Sequence, residues 1–200
     1  MMSGDSASID LTNHFLIAMP GLDDAIFSKS VVYVCEHTPR GALGLVINKP
    51  ADITMVALFS KVELALNRLD LTDAPVFHGG PLQVERGFVL HDSVAAMADT
   101  VEKPLYASSM AIAGGLEMTT SKDVLEALAT GFGPRKVLVS LGYSAWGEGQ
   151  LETELGENSW LTVDADPAVI FDTPVEQRYD KALALLGLQS WMISSQVGHA

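Results

Sequence analysis

Val34-Cys35-Glu36-His37 sets a thiol and an imidazole two residues apart in a β-branched, aromatic stretch. On a strand that spacing puts Cys35 and His37 on one face and Glu36 on the other, and a thiolate beside an imidazole is a capable nucleophile. Same-face neighbours point in parallel rather than at one another, however, and a single cysteine among valines reads first as a small core hydrophobe. A second arrangement follows the chain order of a serine hydrolase. His78-Gly79-Gly80 has the composition of an oxyanion loop, and Gly142-Tyr143-Ser144-Ala145-Trp146 lies between a strand and a helix as a nucleophile elbow does. Asp164 or Asp172 and then His199 come later. The details count against it: Trp146 stands where the elbow requires a small residue, and His199 is one residue from the end of the sequence.

The glycines open a third possibility. Gly79-Gly80, Gly114-Gly115 and Gly147 with Gly149 are loop glycines that would expose backbone N–H groups to an anionic or carbonyl-bearing ligand. Plain turn geometry is the competing and favoured explanation, since no P-loop lysine and no GxGxxG accompanies them. The histidines His14, His37, His78, His91 and His199 show no HxH, HExxH or CxxC spacing, so no metal or other cofactor is indicated unless His37, His78 and His91 converge in space. Trp146, Trp160, Trp191 and Tyr143 would line a pocket or, more commonly, a core.

The elements that must carry these residues can be read from hydrophobic pattern and turn chemistry. His14 to Ala18 predicts a buried strand, and Val31 to His37 with Ala42 to Asn48 a hairpin turning at Thr38-Pro39-Arg40-Gly41. Thr54 to Ser60 predicts a short helix that Val62 to Leu66 would extend. Pro75 to His78 and Arg86 to His91 predict a second strand pair joined across Gly79-Gly80-Pro81, and Tyr106 to Ala113 another strand. Thr120 and Asp123 make an approximate capping box for a helix ending at Gly131. Lys136 to Tyr143 is a strand, Gly149 to Leu155 a helix and Trp160 to Val163 a strand. Thr173-Pro174-Val175-Glu176 opens a last helix that runs to about Leu186. Hairpins early and strand-helix alternation late predict a mixed α/β sheet, in one domain over residues 11–200 after a flexible lead-in over 1–10.

Composition excludes several function classes. With 48% apolar and 18% charged residues among 200, the chain is far from the disordered range and long enough to bury roughly 70% of its unfolded surface. Twenty-five acidic residues against twelve basic ones give a net charge of −13, and the cations Arg40, Lys49, Arg68, Arg86, Arg135 and Lys136 are scattered, which argues against direct nucleic-acid binding. Met55 to Phe59 and Val94 to Ala98 are too short to span a membrane, no secretory signal is present, and the single cysteine fits a cytoplasmic protein.

Four segments together resemble the YqgE/AlgH family of bacterial proteins: FLIAMPGLDD with SVVYVCEHTPRGALGLVINKP, then HGGPLQVERGFVLH, then LGYSAWGEGQLE with NSWL, and finally GHA. Ser144 and Ala145 stand where the family pattern has alanine and glycine, and Glu148 where it has a small residue. The resemblance implies a mixed, mostly antiparallel sheet curled into a flattened pseudo-barrel with helices packed outside. For function it implies little, since the family is largely uncharacterised and the name AlgH carries a proposed role as a transcriptional regulator. The acidic composition conflicts with a direct DNA-binding form of that role.

The residues therefore favour a non-enzymatic binding or regulatory module over an enzyme using Cys35 or Ser144. Its expected ligand-binding residues are His78, Gly79, Gly80, Arg86, Tyr143, Ser144, Trp146 and Gly147, for a small ligand or a protein partner. Any transcriptional role would run indirectly, through that partner.

Overall fold

A computed structural model describes residues 9–22, 24–93, 106–189 and 192. His199, Trp191, the run Val94 to Ala98 and all of the expected lead-in but Ile9 and Asp10 lie outside the described residues.

The first three strands form where the apolar runs place them: β1 is His14–Ala18, β2 Val31–Thr38 and β3 Gly41–Val46. They make an antiparallel meander, with Phe15 opposite Tyr33 and Val32 opposite Val46. A short strand, β4 (Pro50–Thr54), follows where the sequence suggests only a chain break, and it leads into α1 (Met55–Lys61). Thr54 caps α1 by accepting the Ala57 N–H at 3.1 Å. The expected extension over Val62 to Leu66 is not helical: Val62 is the C-cap and Glu63 takes a positive φ of 61°, which turns the chain away.

The expected hairpin between β5 (Pro75–His78) and β6 (Leu82–Asp92) does not form. A ten-residue strand from far downstream, β9 (Val137–Trp146), lies between them, parallel to β5 and antiparallel to β6. The stretch expected as one strand from Tyr106 to Ala113 is a hairpin instead, β7 (Ser109–Ile112) and β8 (Leu116–Thr119), turning at Gly114-Gly115. Helix α2 (Asp123–Ala129) lacks the expected Thr120 cap, because the Asp123 carboxylate accepts from Ala107 N–H and the Ser121 hydroxyl. After α3 (Gln150–Gly156) and β10 (Trp160–Asp164) comes α4 (Pro167–Phe171), which the sequence reading missed. It has proline in its first turn and Asp166 as N-cap, accepting from Ala168 N–H at 3.0 Å. The last helix starts as a 3-10 turn over Val175–Gln177 without a capping box and continues as α5 (Arg178–Leu185).

The sheet order is β10-β1-β2-β3-β9-β6-β8-β7, with β5 on β9 and β4 on β5, and the sheet curls into a half-barrel. Alternation along the strands divides the core by face. Phe15, Ile17, Tyr33, Leu45, Phe88 and Leu138 share one cluster, onto which α4 and α5 pack through Val169, Ile170, Ala182 and Leu183. On the other face, Leu16, Val32, Val34 and Val46 pack with Leu151 of α3. Val76, Val89 and Val139 pack with α1 and α2. Strand β9 is buried on both sides for most of its length, which is why it can act as the seam between these clusters.

Candidate functional site

Because β5 and β6 lie on opposite edges of β9, the link through Gly79, Gly80 and Pro81 must cross the backbone of β9. Only glycine permits so close a crossing. A Cβ at Gly79 would stand 2.5 Å from the Gly142 carbonyl oxygen, and one at Gly80 2.2 Å from the Tyr143 carbonyl group. The contact is sealed by hydrogen bonds: Gly79 N–H donates to Leu141 O at 2.9 Å, and Gly79 O accepts from Val46 N–H and the Ser144 hydroxyl, both at 3.0 Å. The Gly79 N–H expected to face a ligand is thus bonded within the protein.

Ser144 is fully buried within β9, at the last pair of the β3–β9 ladder, opposite Gly44. Strand β9 continues to Trp146 and α3 begins only at Gln150, so the sharp strand-to-helix turn of a nucleophile elbow is absent. Cys35 is no better placed. In β2 the register runs from Val34 opposite Gly44 to Glu36 opposite Leu43, leaving Cys35 as the extra residue of a bulge. The bulge breaks the alternation that would set Cys35 beside His37. Cys35 packs with Phe15 and Tyr33, its thiol pushed upward in pKa by burial, whereas His37 turns to the side of Leu11 and α3. There its Nδ1 accepts the Leu11 N–H at 3.0 Å and its Nε2 donates to the Glu152 carboxylate at 2.7 Å.

Six of the eight expected ligand residues gather at the crossing. His78 sits at its entrance, its N–H donating to Lys49 O at 2.8 Å. Tyr143 packs edge-on against Phe88 at 5.3 Å, and the Arg86 guanidinium lies over the same Phe88 ring at 5.8 Å. With Gly79, Gly80 and Ser144 they form one neighbourhood. Trp146 and Gly147 belong elsewhere, at the end of β9 beside the β2–β3 turn. Trp146 is buried against Trp160 and Phe27, at 6.1 and 6.2 Å, and Gly147 N–H donates to Gln150 Oε1 at 3.0 Å. Beside this trio Glu154 keeps one buried carboxylate oxygen without a partner. His91 is satisfied by Asp92 O and Thr119 Oγ1, and among the described residues no three metal-ligating side chains converge.

The sequence reading missed the shape of the strand that leaves the crossing. Leu82 pairs with Tyr143 and Gly87 with Leu141, so β6 advances five residues while β9 advances two. The surplus is thrown outward as a bulge, with Gln83 at a φ of 46°. Leu82 and Val84, which simple alternation would send to the core together, are 41% and 47% exposed. Pro81, Gln83, Val84, Glu85 and Arg86 line an open concavity of about 570 Å³. Arg86 reaches back to Gln83 Oε1 at 3.4 Å, so the bulge carries its own cross-brace.

Comparison with known proteins matches a family described as AlgH-like over residues 15–191. The UPF0301 proteins of Variovorax paradoxus and of a Polaromonas species are 71% and 73% identical over 199 residues, covering all of both chains in each case. The solution structure of the AlgH protein from Pseudomonas aeruginosa is 43% identical, covers 98% of each chain and superposes with a TM-score of 0.73. A crystal structure from Corynebacterium diphtheriae, 18% identical over 86% of this chain and 85% of that one, shares the fold with a TM-score of 0.66. Among the described residues no helix is long and apolar enough to cross a membrane.

Proposed function

The chain belongs to the AlgH-like family, and we propose that it works as a non-catalytic binding module that takes a protein partner on the β6 bulge. The observation that carries this reading is the exposure of Leu82 and Val84 on a segment anchored at both ends to β9. Apolar side chains held out on a fixed backbone lose little entropy on docking, and the adjoining concavity offers a partner a place to insert. Arg86, stacked on Phe88, adds a residue type enriched among the energetically dominant contacts of interfaces.

Two further observations support the reading. Cys35 and Ser144, the candidate nucleophiles, are enclosed and engaged by the protein itself. Several scattered cations are likewise engaged: Arg68 with Asp70, Lys136 with Asp172, and Arg178 in the core. With a net charge of −13, any influence on transcription would run through a bound protein and not through DNA phosphates. A reducing cytoplasm and a single domain over residues 11–200 belong to the same reading. It is tested by comparing proteins that co-purify with the native chain and with a Leu82→Ser/Val84→Ser variant of equal stability. A partner lost from the variant is the expected result, and identical sets contradict it.

A further inference from the structure

Glu85, Gly87 and Val89 follow one another at period two on β6, as Val139 and Leu141 do on β9. The register sets Gly87 opposite Leu141 and Val89 opposite Val139. One position of this four-residue patch therefore carries no side chain. A Cβ built on Gly87 would meet no atom within 4 Å, and its φ is not positive, so neither crowding nor backbone conformation requires glycine there. What the glycine does is keep a space open. The space is a pocket of about 220 Å³ between α1 and α2, walled by Leu58 and Val62 on one side and Leu125 on the other.

The residues lining the pocket include two exposed side chains of opposite charge, Glu85 and Lys122, with Thr120 between β8 and α2 in the chain. Neither charge belongs to an ion pair among the described residues. Strand β8 pairs with β6 over Val89–Asp92, so among the described residues the β6 edge upstream of Val89 has no strand beside it there. A ligand at the rim would meet one anion, one cation and a strand edge, above an apolar floor.

We infer that this pocket binds a free apolar α-amino acid, with the side chain in the space above Gly87, the carboxylate toward Lys122 and the ammonium toward Glu85. The volume lies below the usual range for drug-sized ligands, which excludes a nucleotide or a long acyl chain and suits one branched or aromatic side chain with its backbone. The floor of Val89, Val139 and Leu141 rejects polar side chains, which would lose water without gaining a hydrogen bond. A simple carboxylic acid would use only Lys122 and a simple amine only Glu85, both exposed charges. A zwitterion answers both.

The test is a calorimetric titration of the full chain with L-leucine, L-valine and L-phenylalanine, against N-acetyl-leucine and leucinamide. Saturable binding of at least one amino acid is expected, with each blocked leucine derivative weaker by about two- to fivefold, the loss of one contact to an exposed charge. Gly87→Val puts a side chain into the open space, where its Cβ meets no atom within 4 Å, and is expected to abolish binding while leaving the unfolding temperature unchanged or raised. Leu82→Ser, which disables the proposed partner surface, is expected to leave amino-acid binding intact, so the two readings fail separately. No saturation by any of the three at about 10 mM, where even weak native-state ligands register, overturns the inference. So does undiminished binding by the Gly87→Val variant, or equal binding of leucine and its blocked derivatives.

Discussion

The Ser144 hydroxyl donates to the Gly79 carbonyl at 3.0 Å, and the same carbonyl accepts the Val46 N–H, so the serine fastens the β5–β6 link against β9. Ser144→Ala is expected to cost about 1 kcal/mol, since the carbonyl keeps one partner. Gly80→Ala is expected to cost several times more, because its methyl would lie 2.2 Å from the Tyr143 carbonyl group. Urea unfolding of the two variants checks the order. A Ser144→Ala variant less stable than Gly80→Ala would refute the crossing as described.

Cys35 is buried and its thiol is pushed up in pKa by desolvation, so the reactive thiolate is scarce and out of reach. A disulfide reagent is expected to label no thiol in the folded chain and one on denaturation. Rapid labelling under native conditions would restore the nucleophile reading.

Glu154 accepts from Trp160 Nε1 at a long 3.5 Å, its other oxygen is buried without a partner, and desolvation raises its pKa above the usual carboxylate value. A raised folded-state pKa means that the group's stabilising contribution is present below the unfolded-state value and is lost as pH rises through the folded one. Glu154→Gln is therefore expected to stabilise the protein at neutral pH, by about 1 kcal/mol. The difference should shrink as pH falls through the raised folded-state pKa and vanish by about pH 4, where the carboxyl is protonated in both states. Thermal unfolding of both forms across that range measures it, and a gain that grows on acidification would contradict the assignment.

Arg178 is a buried cation without a carboxylate partner among the described residues. Its Nε donates to Thr173 O at 2.9 Å, its Nη1 to Ile47 O, and its Cζ lies 4.9 Å from the Phe77 ring centre. Burial lowers its pKa to about 10, which still leaves it charged at neutral pH. It ties α5 to the segment after β3. Arg178→Ala is expected to cost about 3 kcal/mol, and Arg178→Lys to recover less than half, because an ammonium cannot serve two divergent carbonyls and a ring face together. Full recovery by lysine, read from denaturant midpoints at constant slope, would show that charge alone matters.

Most strands were legible, β4 and the β7–β8 hairpin excepted, because β-branched runs such as Val31 to Val34 and Val137 to Val139 admit little else. Beyond the β2–β3 hairpin, which the turn at Thr38 to Gly41 announces, their pairing was not. The insertion of β9 between β5 and β6 is a tertiary event that no local pattern announces, and it turned an apparent hairpin into a crossing. The same limit applies to the bulges. Alternation sets Cys35 beside His37 and Leu82 with Val84 toward the core, and in both places one strand has more residues than its partner. Of the expected ligand residues, those near Gly79 assemble for a reason visible only in space, namely backbone contact, whereas Trp146 and Gly147 follow β9 to its far end. Gly87 was hidden because its meaning lies in what is missing opposite Leu141.

The most direct test of the bulge as a recognition surface is photo-cross-linking in living cells, with a reactive side chain at Val84 and, in a separate strain, at Leu69, which is 92% exposed on another loop. A discrete cross-linked partner from position 84 and none from 69 is the predicted result. Partner capture at 69 with none at 84 would contradict the account and move the interface away from β6.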